Sequence, residues 1–253
     1  MRKFILLVLL IHQIFLVSAQ RLKGVYTFFD DNWKKIADAD KSKYFTRLRN
    51  INDTSWLLDT YNVSGPMIRT ETVNDKTARI KNGRYASYHP TGYIDSIGQF
   101  YNNKAHGNWY YCNDAGKYLF QKMYENGVLI STIDLVSKEA KRKTDSANNN
   151  QLTIEEKESE FKGGRQAWSM YLMKNLRYPP DAVNARITGD VVVMFIIDTE
   201  GKPKELNLYK SVQVLLDAEA MRLIAVSLKW VPAEQQGKKV MTFKRQTISF
   251  RLE

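Results

Sequence analysis

Cysteine is almost absent. The 253 residues contain one, Cys112, so no disulfide can form within the chain and its domains must stand on their packed cores. Histidine is scarce too, with three residues, His12, His89 and His106, and no metal-ligand spacing anywhere. The six prolines are too dispersed to build a stiff extended rod. No phosphate-cradling glycine loop is present. Beyond residue 17 no apolar run approaches the ~20 residues of a membrane-spanning helix. These gaps exclude a disulfide scaffold, a structural zinc module and a nucleotide-binding enzyme of the glycine-loop type. No cofactor is expected.

What is present suits a folded chain. Apolar residues make up 43% and charged residues 26%, enough for real cores. The length fits two domains. The formal net charge is +11, and removing Arg2 and Lys3 leaves +9. Such a balance attracts anionic surfaces, but the lysines and arginines are spread among carboxylates and form no dense stripe, so nucleic acid is not an expected partner. Residues 1–19 read as a signal peptide: Arg2-Lys3 lead, an apolar stretch covers 4–17, and Val17-Ser18-Ala19 forms a small-residue cleavage site. The mature chain would start at Gln20. No cysteine follows the site, so a lipid anchor is not indicated, and an uncleaved N-terminal anchor is the alternative.

Within the β-rich region over 20–137, the first part carries weak signals. Residues 25–29 and 43–49 suggest strands and 33–37 a short helical turn. From Trp56 a repeat emerges. An aromatic residue, three others and a glycine recur as Tyr61 to Gly65, Tyr88 to Gly92 and, more loosely, Tyr111-Cys112 to Gly116. The last two units align at a period of 24 residues, with Gly83 matching Gly107, Tyr85 Trp109, Phe100 Tyr124 and Asn102 Asn126. Fixed-period similarity marks units that bury their faces by stacking on one another. Asn82-Gly83 and Asn126-Gly127 are hairpin-turn dipeptides, and aromatic residues suit a half-buried pleated surface. His89 and His106 fall in repeat turns near Cys112, and the repeat explains that placement more simply than nucleophilic chemistry does. Over about 56–129 the pattern resembles MORN-type and related antitoxin-like hairpin repeats. Residues 138–160, polar and of mixed charge, read as a flexible linker.

The last third is the most specific. Trp168, Leu172 and Leu176 form one helical stripe that Tyr178-Pro179 ends, because the residue before proline is pushed out of the helical region. The run over 191–197 is apolar at both parities, as in a strand covered on both faces. Asp198 and Gly201 form a turn, and Leu216, Ala220, Leu223 and Ile224 make a second stripe. The final strand alternates, with Ile248, Phe250 and Leu252 inward and Ser249 and Arg251 outward. The expected fold is α+β: an α-β-β-α-β domain over 161–253 with an antiparallel sheet whose last strand lies at an edge, preceded by the MORN-like β-hairpin repeat domain.

These residues resemble the TonB C-terminal domain family of energy transducers. The matching positions are Phe161, Gly163-Gly164, Tyr178-Pro179, Ala182, Gly189 before the apolar strand, Asp198, Gly201, Ser211, Leu216-Asp217, Ala220, Trp230, Pro232-Ala233, Gly237-Lys238, Val240, Ile248 and Phe250. The resemblance implies a non-enzymatic periplasmic protein that captures the TonB box of an outer-membrane TonB-dependent transporter plug by strand addition. Carried over by position, the implied contacts are Arg177, Tyr178 and Pro179, and on the last strand Lys244, Arg245, Gln246, Ile248 and Phe250. Inner-membrane motor proteins become partners only if the N-terminal segment is retained. A homodimer is open, and so is the alternative of a non-energised envelope scaffold joining two partners.

Overall fold

The computed structural model describes residues 22–148, 156–227 and 230–252. The expected signal peptide over 1–19 lies outside the described residues, as does part of the expected linker, 149–155.

The N-terminal half is one antiparallel sheet. Its strands are β1 (Val25–Phe29), β2 (Lys35–Ile36), β3 (Tyr44–Asn52), β4 (Ser55–Asn62), β5 (Met67–Val73), β6 (Lys81–Tyr88), β7 (Ile94–Tyr101), β8 (Lys104–Cys112), β9 (Tyr118–Glu125) and β10 (Val128–Asp134). From β3 to β10 each strand pairs with its sequence neighbour, while β1 pairs outside β3 and β2 outside β1. The helical turn expected at 33–37 is replaced by β2. Asp30 and Trp33 close a tight reversal, and Trp33 takes a left-handed φ of 61° so that its ring can stack on Tyr44 at 4.2 Å.

The 24-residue period is a two-strand unit, and its glycines have a packing role. Gly83 lies opposite Phe100 and Gly107 opposite Tyr124. Trp109 lies over Gly98, where an added Cβ would come within 2.3 Å of the ring. Trp109 in turn meets Tyr85 at 5.4 Å and Phe100 at 5.1 Å, so one face of the sheet is held by ring contacts spanning two repeats.

The span expected as a linker begins inside a helix, α1 (Leu135–Asn148). Asp134 starts it: its carboxylate accepts from the backbone N–H groups of Val136 and Ser137 at 2.9 and 3.0 Å. Two short strands, β11 (Glu156–Lys157) and β12 (Glu160–Phe161), close the span.

The C-terminal region comprises α2 (Gly164–Asn175), α3 (Pro180–Asn184), β13 (Gly189–Ile197), β14 (Pro203–Lys210), α4 (Val214–Ala225), β15 (Trp230–Val231), β16 (Ala233–Gln235), β17 (Lys238–Val240) and β18 (Thr242–Phe250). The expected α-β-β-α-β order is there, with α3 and three short strands added. Its main sheet runs β14-β13-β18, so the last strand is an edge. Val191, Val193, Phe195 and Ile197 are fully buried in one core with Leu216, Ala220, Leu223 and Ile224 of α4. The β13–β14 turn is built by Asp198, whose Oδ1 accepts from the N–H groups of Glu200 and Lys202, while Lys204 pairs with its Oδ2 at 2.8 Å. Lys204 first, then the backbone donors, hold that carboxyl down at about 2.

The two halves share one hydrophobic core, and the repeat turns are what join them. Tyr61 of the first turn donates to Asp217 on α4 at 3.3 Å, and the Met67 N–H donates to Ser211 Oγ at 2.7 Å. Tyr88 of the second turn donates to the Leu208 carbonyl at 3.1 Å, and the Ser211 N–H donates to the Gly92 carbonyl at 2.9 Å. In the third turn Cys112 stands where the earlier units have tyrosine, and Tyr209 reaches across to donate to the Gly116 carbonyl. The recurring tyrosine-to-glycine motif therefore lines one docking surface for residues 208–217. The hairpin sheet faces the side of β13 away from the helices, where Met194 is 5% exposed and lines the same space as Ile97 and Tyr110.

Candidate partner-binding edge

Nine residues of β18 pair with β13, from Phe250 opposite Gly189 to Thr242 opposite Ile197. Among the described residues no strand pairs with the other side of β18, so its outward backbone N–H and C=O groups are available to an incoming chain.

The predicted contact residues separate into distinct roles. Ile248 and Phe250 are fully buried and form the rigid backing of the edge. Tyr178 is packed edge-on against Phe250 at 5.5 Å, with its hydroxyl donating to the Ile187 carbonyl at 2.6 Å. Burial raises the Tyr178 hydroxyl pKa, with nearby Arg251 opposing it. Pro179 caps α3, and the Arg177 N–H donates to Glu219 while its side chain is exposed. The 177–179 segment therefore braces the far end of β18 from the helix side. Lys244 points to that side as well: its ammonium donates to the Ser159 carbonyl and lies 6.0 Å from the centre of the Trp230 ring. Gln246 is half-buried on the same face.

Arg245 points the other way, toward the hairpin sheet. Its guanidinium lies 3.9 Å from the ring centre of Tyr209 and 5.3 Å from that of Tyr118. Two rows away, Arg84 of β6 pairs with Glu205 of β14 at 2.9 Å. Between these contacts the two sheets enclose a groove of about 1140 Å³, lined on the hairpin side by residues such as Leu57, Ile97 and Tyr110 and on the other by Met194, Leu206 and Phe243.

Phe243, 76% exposed at the mouth of this groove, is the residue that the motif reading passed over. Its signal was present: alternation counted back from Ile248 puts Phe243 and Arg245 together on the outward face. Tyr118 and Tyr209 carried no comparable mark, because their meeting depends on how the two halves dock.

The Cys112–His89 neighbourhood is structural. His89 Nε2 lies 3.1 Å from the carbonyl oxygen of Cys112, and burial pushes the thiol up to about 11. Among the described residues no group of three or more His, Cys, Asp or Glu is placed to hold a metal ion, and no helix is long and apolar enough to cross a membrane.

A family model described as Gram-negative bacterial TonB protein C-terminal matches residues 174–252. The match begins at the end of α2 and runs through β18, so the similarity to the TonB C-terminal family covers this region, and the hairpin sheet lies outside it. No curated protein and no solved structure matches the chain significantly.

Proposed function

We propose that the protein works in the periplasm, where it takes the TonB box of an outer-membrane TonB-dependent transporter as an added strand on β18, in support of energy-coupled nutrient import. The observation that carries this reading is the free outer edge of β18 within the region that matches the TonB C-terminal family. In strand addition the backbone supplies affinity, so Ile248, Phe250 and Tyr178 serve by holding the edge flat, and Arg177, Lys244, Arg245 and Gln246 border the incoming segment. Motor-driven work on the transporter requires a retained N-terminal anchor, and cleavage before Gln20 would leave the binding function alone.

A second reading, an envelope scaffold that grips two partners, draws support from β10. All seven of its residues are exposed on an edge strand of the larger sheet, with Val128, Leu129 and Ile130 about half or more open to solvent.

Hydrogen exchange on the full chain tests the first reading. A plug-segment peptide should protect amides within Thr242–Phe250. Protection confined to β10, with β18 unchanged, would move the function to the scaffold.

A further inference from the structure

The hairpin sheet does more than extend the C-terminal domain, because it roofs the face of the C-terminal sheet that Phe243 and Arg245 present. Strand addition on β18, on which this inference rests, places the side chains of the incoming segment alternately on the helix side and on the groove side. Groove-side residues lie next to Phe243 and Arg245, which are two positions apart on the same face. Around them the groove offers Tyr110, Tyr118 and Leu135 from the hairpin half.

Arg245 defines the chemistry. The rings of Tyr209 and Tyr118 lie against its guanidinium and hold it in place, and the described residues give it no carboxylate partner. The Tyr209 ring covers the guanidinium and Tyr118 stands beside it within hydrogen-bonding reach, so the N–H groups turned away from Tyr118 are left for an anion, and a carboxylate suits them. Phe243 has most of its ring in solvent beside an apolar recess. An aromatic or large aliphatic side chain set opposite it would cover both.

We infer that the groove between the two sheets is a side-chain selection site for the captured segment, taking one large apolar residue opposite Phe243 and one Asp or Glu opposite Arg245, two positions apart in the extended partner. The hairpin repeats thus act as the second wall of a peptide site whose first wall is the C-terminal sheet. Partner choice then depends on a residue pattern of period two, with the intervening positions free.

The test uses the full chain and fluorescein-labelled nonapeptides of a threonine-valine background. One carries Phe and Asp two positions apart, a second carries them adjacent, and a third replaces Asp by Asn. Fluorescence anisotropy should show the first binding roughly fivefold tighter than either of the others, the size of one good cross-strand pair. Phe243→Ser, at an exposed position with little to unsettle, should erase the part of that preference due to Phe. Arg245→Gln should erase the part due to Asp. Equal binding of all three peptides, with amides of Thr242–Phe250 still protected from exchange, overturns the selection site and leaves strand addition standing. Preference that survives both substitutions overturns it as well. Failure of every peptide to protect β18 overturns strand addition and the selection site together.

Discussion

The hydroxyl of Tyr61, in the first hairpin turn, donates to the buried carboxyl of Asp217 on α4 at 3.3 Å, across 156 positions of sequence. Asp217 also accepts from Ser211 Oγ at 2.5 Å and from the Val212 N–H at 2.9 Å. One acid therefore ties together the hairpin sheet, the end of β14 and the start of α4. Burial is the largest influence on it and pushes its carboxyl up to about 7, against the pull of these donors. Burial also raises the Tyr61 hydroxyl well above its ordinary value, so the tyrosine is a donor across the whole accessible pH range.

Tyr61→Phe tests that link in isolation. The ring keeps its stacking on Phe45, 5.4 Å away at 9°, and only the hydroxyl is lost. Stability by urea titration should fall by about 1–2 kcal/mol, the cost of one buried hydrogen bond to a polar partner left short of a donor. An unchanged midpoint would mean that the contact does not couple the two halves.

The raised Asp217 carboxyl gives a signed pH dependence. The folded protein holds a proton that the unfolded chain releases above 3.8, so the stability due to this group is complete below that pH. It is lost progressively as pH rises to about 7 and stays lost above it. The full swing is on the order of 4 kcal/mol. Asp198, held at about 2, acts in the opposite sense but only below the ordinary carboxylate range. Denaturation midpoints taken from pH 4.5 to 7.5 should therefore decline in the wild type and flatten in Asp217→Asn. Parallel curves for the two proteins would contradict the assignment.

Asp59 is a second buried acid with a different role. It accepts from Arg47 at 2.8 Å, Arg49 at 3.0 Å and Thr70 at 2.8 Å, and both Asp59 and Arg47 are buried. Asp59→Ala leaves the Arg47 guanidinium without its counter-charge inside the sheet, at a cost of about 3–5 kcal/mol. Arg49→Gln removes a partner whose side chain is 41% exposed and should cost about 1 kcal/mol or less. Thermal melts of the two variants should differ accordingly, and similar melting temperatures would argue that Arg47 finds water or another acceptor.

The elements with local causes were legible before any coordinates. The helix stop at Tyr178-Pro179, the Asp198–Gly201 turn, the edge position of the last strand and the 24-residue period all follow from neighbouring residues, and each is found where the motifs put it. Three local readings erred. Asn82-Gly83, read as a hairpin turn, lies inside β6 with Gly83 opposite Phe100. The turn at 33–37 became a strand because Trp33 reaches Tyr44, and the polar span after residue 138 starts as a helix that Asp134 nucleates. The docking of the halves was not legible. Tyr61, Tyr88 and Gly92 looked like repeat residues serving their own sheet, and nothing local marks them as the surface that receives Ser211 and Asp217. The groove, and with it the orientation of Arg245 toward Tyr118 and Tyr209, inherits that opacity.

Two glycines in left-handed conformation separate backbone strain from contact. At Gly92, φ is 86° and an added Cβ would lie 2.1 Å from the Ser211 carbonyl oxygen, in the docking surface itself. At Gly237, φ is 73° and nothing lies within 4 Å. Gly237→Ala should cost about 1–2 kcal/mol, the left-handed penalty alone. Gly92→Ala should cost that plus the displacement of a backbone group that cannot move aside, and should weaken the contact between the halves. Limited proteolysis should cut Gly92→Ala faster between residues 134 and 161 than Gly237→Ala, and equal rates would show that the docking tolerates the added methyl.

The shared core also decides whether the C-terminal domain can be detached. A fragment over 156–253 loses the Tyr61 donor to Asp217, the Met67 donor to Ser211 and the Gly116 acceptor for Tyr209. It also exposes Met194 and Tyr209, 5% and 7% exposed in the whole chain, on the side of its small sheet away from the helices. A few kcal/mol lost from a domain of this size lowers melting by on the order of 10 °C. The fragment should melt that much earlier than the full chain and bind a hydrophobic dye on the uncovered face. If it melts with the full chain and stays dye-free, the hairpin sheet contributes little to the domain's stability, and the groove it roofs would have to be a loose cover over a self-sufficient fold.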